Sequence, residues 1–69
     1  PIVSGRDVVR ALKELGFSHV STRGSHMKMQ HPDGRIATVP NHKTIKKGTL
    51  KKGILNPLSI SVKQFIDLL

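Results

Sequence analysis

The stretch that decides the fold is Phe17–Pro40, which reads FSHVSTRGSHMKMQHPDGRIATVP. Its first run, residues 17–22, carries the β-branched Val20 and Thr22 and reads as a strand. A turn at Arg23-Gly24 leads into a second strand over residues 25–30. His31-Pro32-Asp33-Gly34 is a strong turn signal. Residues 35–40, with Ile36, Thr38 and Val39, form a third strand. Three short strands joined by short turns predict an antiparallel meander.

Helices flank this meander. Upstream, Val8, Leu12 and Leu15 recur at helical spacing, with Val9 and Ala11 widening the stripe, so a helix is expected over Gly5–Leu15. Ser4 is its N-cap, Asp7 stands at the capping-box position, and Gly16 is its stop. Downstream, residues 41–47 form a polar, basic loop. A helix follows, with Thr49 as expected N-cap and Leu50, Ile54 and Leu55 on its apolar side, and Asn56-Pro57 ends it. Ser61 caps a last helix, whose Val62, Phe65, Ile66 and Leu69 make an apolar stripe with the spacing of a buried face. A three-stranded sheet needs one face covered, and these helices supply the cover. The expected architecture is an α+β two-layer sandwich of order α-β-β-β-α(-α), with residues 1–69 as one domain and the other sheet face open.

Twelve Lys and Arg stand against four Asp and Glu, a formal net charge of +8 in 69 residues. Such an excess argues for a polyanionic partner: nucleic acid, an anionic membrane surface or an acidic protein. With no cysteine, disulfides and Cys-based zinc or redox sites are excluded, and the composition fits a reducing cytoplasm. No apolar run reaches the roughly 20 residues of a membrane helix, and the opening residues show no signal-peptide pattern. The two aromatics, Phe17 and Phe65, both sit in apolar patterns. Base stacking is therefore not expected to drive recognition, which leaves backbone and shape reading.

The second strand carries the chemistry. Side chains alternate faces along a strand, so Met27 and Met29 point one way and His26, Lys28 and Gln30 the other. The methionines are the natural core face, which leaves a histidine and a lysine roughly 7 Å apart on the open one. An imidazole exchanges a proton near neutral pH, and an ammonium holds phosphate; together they are parts for cleaving a phosphodiester. Periodicity alone favours an ordinary surface histidine at His26. His19 and His31 lie on or beside strands, and no His-x-x-x-His pair appears, so no metal site is expected. Lys43, Lys46, Lys47, Lys51 and Lys52 form the densest basic stretch and lead into the expected helix start at Gly48-Thr49, where free N–H groups attract phosphate.

Gly24-Ser25-His26, Thr38-Val39-Pro40-x-His42, Gly48-Thr49-Leu50 and Ile54-Leu55, together with Leu15-Gly16-Phe17 and Ile60-Ser61-Val62 followed by Phe65, resemble the HicA family. These are small toxins of toxin–antitoxin pairs. Each motif alone is weak; all of them in order, in a chain of family length, make the likeness specific. The resemblance implies a fold like the double-stranded RNA-binding domain and a ribonuclease that cuts mRNA without a cofactor. It also implies inhibition by a HicB-type antitoxin, and it makes His26, in the Gly-Ser-His motif, the catalytic residue. One departure stands out: three residues, Lys51-Lys52-Gly53, separate Leu50 from Ile54, where the family often has two.

On this reading RNA supplies its own nucleophile, the 2′-OH. His26 serves as general base or acid, Lys28 stabilises the phosphate, and Ser25 donates a hydrogen bond or orients the site. His42 is a candidate second acid or phosphate contact. Arg23, Lys43, Lys46 and Lys47 track the RNA backbone. The alternatives are a non-catalytic double-stranded RNA-binding module, with the same fold and charge, and a protein-binding domain whose basic face meets an acidic partner.

Overall fold

A computed structural model describes residues 2–69. The elements are α1 (Gly5–Glu14), β1 (Ser18–Arg23), β2 (His26–Gln30), β3 (Ile36–Pro40), a π-helix (Thr49–Leu55) and α2 (Val62–Ile66). The strands form one antiparallel sheet in the order β1-β2-β3. This is the α+β arrangement and element order expected from the sequence.

α1 starts where its sequence says. The Asp7 backbone N–H donates to Ser4 Oγ at 3.2 Å, and the Ser4 N–H donates back to Asp7 Oδ2 at 3.1 Å, a complete capping box. That backbone donor, then the Ser4 hydroxyl and the Arg10 charge, hold the Asp7 carboxyl below its ordinary pKa. The helix ends in a Schellman motif: Phe17 N–H reaches the Leu12 carbonyl at 2.9 Å and Gly16 N–H the Lys13 carbonyl at 3.1 Å, with Gly16 at φ 98°.

Val8, Ala11 and Leu12 on α1 are wholly buried, as are Met29 and Val39 on the sheet. Val3, Phe17, Ala37, Ile45, Ile54, Leu55, Leu58, Ile60 and Phe65 complete the core around them. Met29 is the buried methionine, and Met27 packs against the core while remaining partly exposed. β1 is an edge strand with every residue exposed. A bulge between His19 and Ser21 leaves Val20 52% exposed and shifts the register. One extra residue in a strand moves every later side chain to the opposite face. Ser21 is thereby set opposite Lys28, and Arg23 opposite His26.

The β2–β3 turn is tied down on both sides. Arg35 Nε donates to Asp33 Oδ2 at 2.8 Å and Arg35 Nη1 to the Leu58 carbonyl at 2.6 Å, while the guanidinium lies 5.2 Å from the centre of the Phe17 ring. His31 meets Phe17 edge to face at 5.0 Å, and its Nε2 lies 3.2 Å from the Leu15 carbonyl, so that nitrogen is the protonated one. His31 is a packing residue.

Two sequence expectations change downstream. Thr49 does not cap a helix: it lies inside the π-helix, and the Leu50 N–H already bonds to the Lys46 carbonyl at 2.9 Å. The helix therefore starts before Thr49, and the Gly48 and Thr49 N–H groups fall in its first turn, ahead of the first helical bond. The π geometry accounts for the three-residue spacer. The Asn56 N–H reaches back five residues to the Lys51 carbonyl at 2.8 Å, so each hydrogen-bonded turn holds one residue more than an α-turn. Ile54 and Leu55 still enter the core. The second change is in α2, where Phe65 alone is buried; Val62 and Ile66 are 41% and 45% exposed.

The π-helix closes with a second Schellman pattern, from the Ile60 N–H to the Leu55 carbonyl and the Ser59 N–H to the Asn56 carbonyl, both at 3.0 Å. Here the left-handed position is filled by Ser59, at φ 59°. A side chain there costs about 1 kcal/mol that glycine avoids. Ser59→Gly is therefore expected to stabilise the fold by about 0.5–1 kcal/mol, read as a raised thermal midpoint in circular dichroism; an unchanged or lower midpoint would count against it.

Candidate functional site

β2 places His26 and Lys28 on the uncovered face of the sheet. Their neighbours are fixed by register. His26 sits between Arg23 on β1 and Pro40 on β3, and Lys28 between Ser21 and Thr38. Directly opposite residues in an antiparallel pair have Cβ atoms roughly 5 Å apart. Ser21, Arg23, His26, Lys28 and Thr38 line one recess of about 330 Å³. It holds one imidazole, two cations and two hydroxyls, and no carboxylate.

Among the described residues, no hydrogen bond or ion pair engages the side chains of Arg23, His26 or Lys28. The acids near basic residues are occupied elsewhere: Asp7 with Arg10 at 3.2 Å, and Asp33 with Arg35 at 2.8 Å. The recess is thus a cationic site whose charge is not compensated from within. It suits an anion that needs a proton moved beside it, such as a phosphodiester.

A lattice of backbone contacts fixes this edge of the sheet. Gly24, at φ 60°, makes the two-residue β1–β2 turn with Ser25, the pattern of a type II′ hairpin. The Ser25 carbonyl accepts from the Asn41 N–H at 2.6 Å, and the His42 carbonyl accepts from the Gly5 N–H at 2.9 Å. Ser25 stands beside His26 in the turn but does not line the recess.

The other sequence-derived candidates lie apart. His42 lines two neighbouring recesses, one with Ser4, Arg6, Asn41 and Lys43, the other with Lys46 and Thr49. It shares neither with His26. The basic stretch divides: Lys43 and Lys46 flank His42, whereas Lys47, Lys51 and Lys52 border an apolar groove. Three residues of these sites escaped the sequence reading. Arg6 lies beside His42 because α1 begins against the end of β3; Ser21 and Thr38 reach the recess through strand pairing. The alternation of β3 carried a signal for Thr38. Nothing local marked the bulge that turns Ser21 and Arg23. Among the described residues, no three His, Cys, Asp or Glu side chains gather as a metal site.

Fold and site together define a small basic α+β protein that presents a lone histidine among cations on an open sheet face. The family model described as HicA toxin of bacterial toxin-antitoxin matches residues 5–55, more than half of the chain. The chain belongs to the HicA toxin family, and so to the toxins of toxin–antitoxin systems. A comparison with curated proteins finds no match. Among the described residues no helix is long and apolar enough to cross a membrane.

Proposed function

We propose that the protein is a metal-independent endoribonuclease that cuts mRNA in the cytoplasm and is restrained by a HicB-type antitoxin. The observation that supports this most is the recess in which His26 stands beside Arg23 and Lys28. The 2′-OH of RNA attacks the adjacent phosphorus. The new 2′-O–P bond forms as the P–O5′ bond breaks. His26 takes the 2′-OH proton as general base while water protonates the departing 5′-oxygen, or His26 protonates that oxygen as general acid while water takes the 2′-OH proton. Lys28 and Arg23 stabilise the charge that grows on the phosphorane oxygens, and the Ser21 and Thr38 hydroxyls add donors. Ser25 orients the turn that carries His26. An antitoxin that lies over this open face blocks the recess directly.

The test is cleavage of a structured RNA in EDTA, with end-group analysis of the fragments. The expected products carry 2′,3′-cyclic phosphate and 5′-hydroxyl ends. A 5′-phosphate product, or loss of activity on chelation, would sink the scheme, because it would mean attack by water or a metal-bound hydroxide.

Lys43 and Lys46, with His42 and Arg6 beside them, extend the cationic surface past the end of β3. We assign them to the RNA backbone. A lysine that neutralises one phosphate adds about one unit to the slope of log affinity against log salt. Lys43→Ala/Lys46→Ala is expected to flatten the slope by about two units in a salt titration. An unchanged slope would remove these lysines from the interface.

One observation favours the non-catalytic double-stranded RNA-binding reading: no second imidazole and no carboxylate lines the recess. His26→Ala separates the two readings, since in a binding module it changes no chemistry.

A further inference from the structure

The π-helix and α2 leave a groove between them that the recess around His26 does not touch. It is lined by Lys47, Gly48, Leu50, Lys51, Lys52, Leu55 and Val62, and its volume is about 410 Å³. No residue is common to the two sites. The floor is nearly all apolar, made by Leu50 and Val62, while Leu55, which also borders the groove, is wholly buried. Ile66 stands one helical turn beyond Val62, on the same side of α2, and is 45% exposed. Three lysines form the rim, and none of the four acids of the chain lines the groove.

We propose that this groove docks an acidic amphipathic helix of a partner protein. A concave apolar floor accepts side-chain anchors from one helix face, and a lysine rim pairs with the carboxylates that flank them. A second copy of this chain is a poor occupant, since its net charge of +8 repels itself. RNA answers the lysines but has no use for the floor. A membrane surface suits protruding apolar side chains better than a recess between two helices. The π-helix contributes directly. It carries Leu50, Lys51 and Lys52 as groove wall while sending Ile54 and Leu55 to the core, an assignment an α-helix with its tighter turn would not preserve. The proposal is independent of the ribonuclease reading, because the occupant leaves the His26 recess open.

The probe is a synthetic helical peptide of about 15 residues, with leucines on one face at i, i+4 and i+7 spacing and glutamates elsewhere. Binding to the full chain is read by fluorescence anisotropy and located by amide chemical shifts. Shifts are expected at Leu50, Lys51, Lys52 and Val62, and none at His26 or Lys28. Val62→Glu is expected to weaken binding by about tenfold or more. Should that variant melt early, Lys51→Glu/Lys52→Glu, at exposed positions, carries the test with the same expected loss. Three results would overturn the proposal. The first is equally tight binding by a peptide of equal composition with its leucines scattered, which would make the attraction charge alone. The second is a set of shifts that falls in the His26 recess. The third is binding of anionic vesicles where the peptide does not bind.

Discussion

His26→Ala is expected to abolish RNA cleavage while leaving fold and RNA affinity in place. General acid–base catalysis by one positioned group is worth about 10²–10⁴ in rate, and no other group in the recess replaces it. Lys28 and Arg23 stay charged and still hold phosphate, so binding persists without proton transfer. The side chain is exposed and makes no hydrogen bond among the described residues, so its removal costs little stability. Two measurements on one structured RNA in EDTA check this: the cleavage rate, and the dissociation constant by anisotropy. A variant that cuts at the parental rate would remove His26 from the mechanism. A variant that loses binding in proportion to cleavage would make His26 a contact for phosphate.

The sequence made the open face of β2 legible because that strand alternates cleanly. Met27 and Met29 had one place to go, and His26 and Lys28 the other. β1 was less readable for a physical reason. Straight alternation from the buried Phe17 would send Arg23 to the covered face; the bulge after His19 turns it outward, and a bulge in an exposed, polar strand leaves no hydrophobic signature. The π-helix was hidden similarly. Lys51-Lys52-Gly53 declared an extra residue, but the spacing alone did not say whether a loop or a wider helical turn would absorb it. α2 misled because an apolar stripe at helical spacing predicts burial, whereas this helix has only five residues and one side of it meets the core. Of the surplus apolar residues, Val62 lines the groove beside the π-helix. His42 follows β3 in a turn that is drawn towards α1 by the Gly5 N–H, and it shares no recess with His26.

That contact is the ground for the second large effect. Gly5→Ala is expected to destabilise the protein by about 2 kcal/mol or more, although Ala favours a helix over Gly by about 1 kcal/mol. Two effects oppose, and sterics decides. A Cβ at Gly5 would collide with the Pro40 carbonyl oxygen and lie 3.1 Å from the Asn41 Cα. Both neighbours are backbone, so neither swings aside as a flexible side chain would. Relief requires α1 to lift off the end of β3, which strains the 2.9 Å bond from the Gly5 N–H to the His42 carbonyl. A chain of 69 residues has only about 3–10 kcal/mol of stability, and each 1 kcal/mol moves the midpoint by about 4–8 °C. The thermal midpoint is therefore expected to fall by roughly 10 °C. A midpoint equal to the parent's would show that propensity had won and that the approach is loose. The effect should also reach the site, because Pro40 pairs with His26 and Asn41 bonds Ser25. When α1 pushes Pro40 and Asn41 away, the strand that holds His26 opposite Arg23 loses its other neighbour. At temperatures where Gly5→Ala is still folded, cleavage should fall further than the folded fraction does. Equal losses would mean that the glycine serves stability alone.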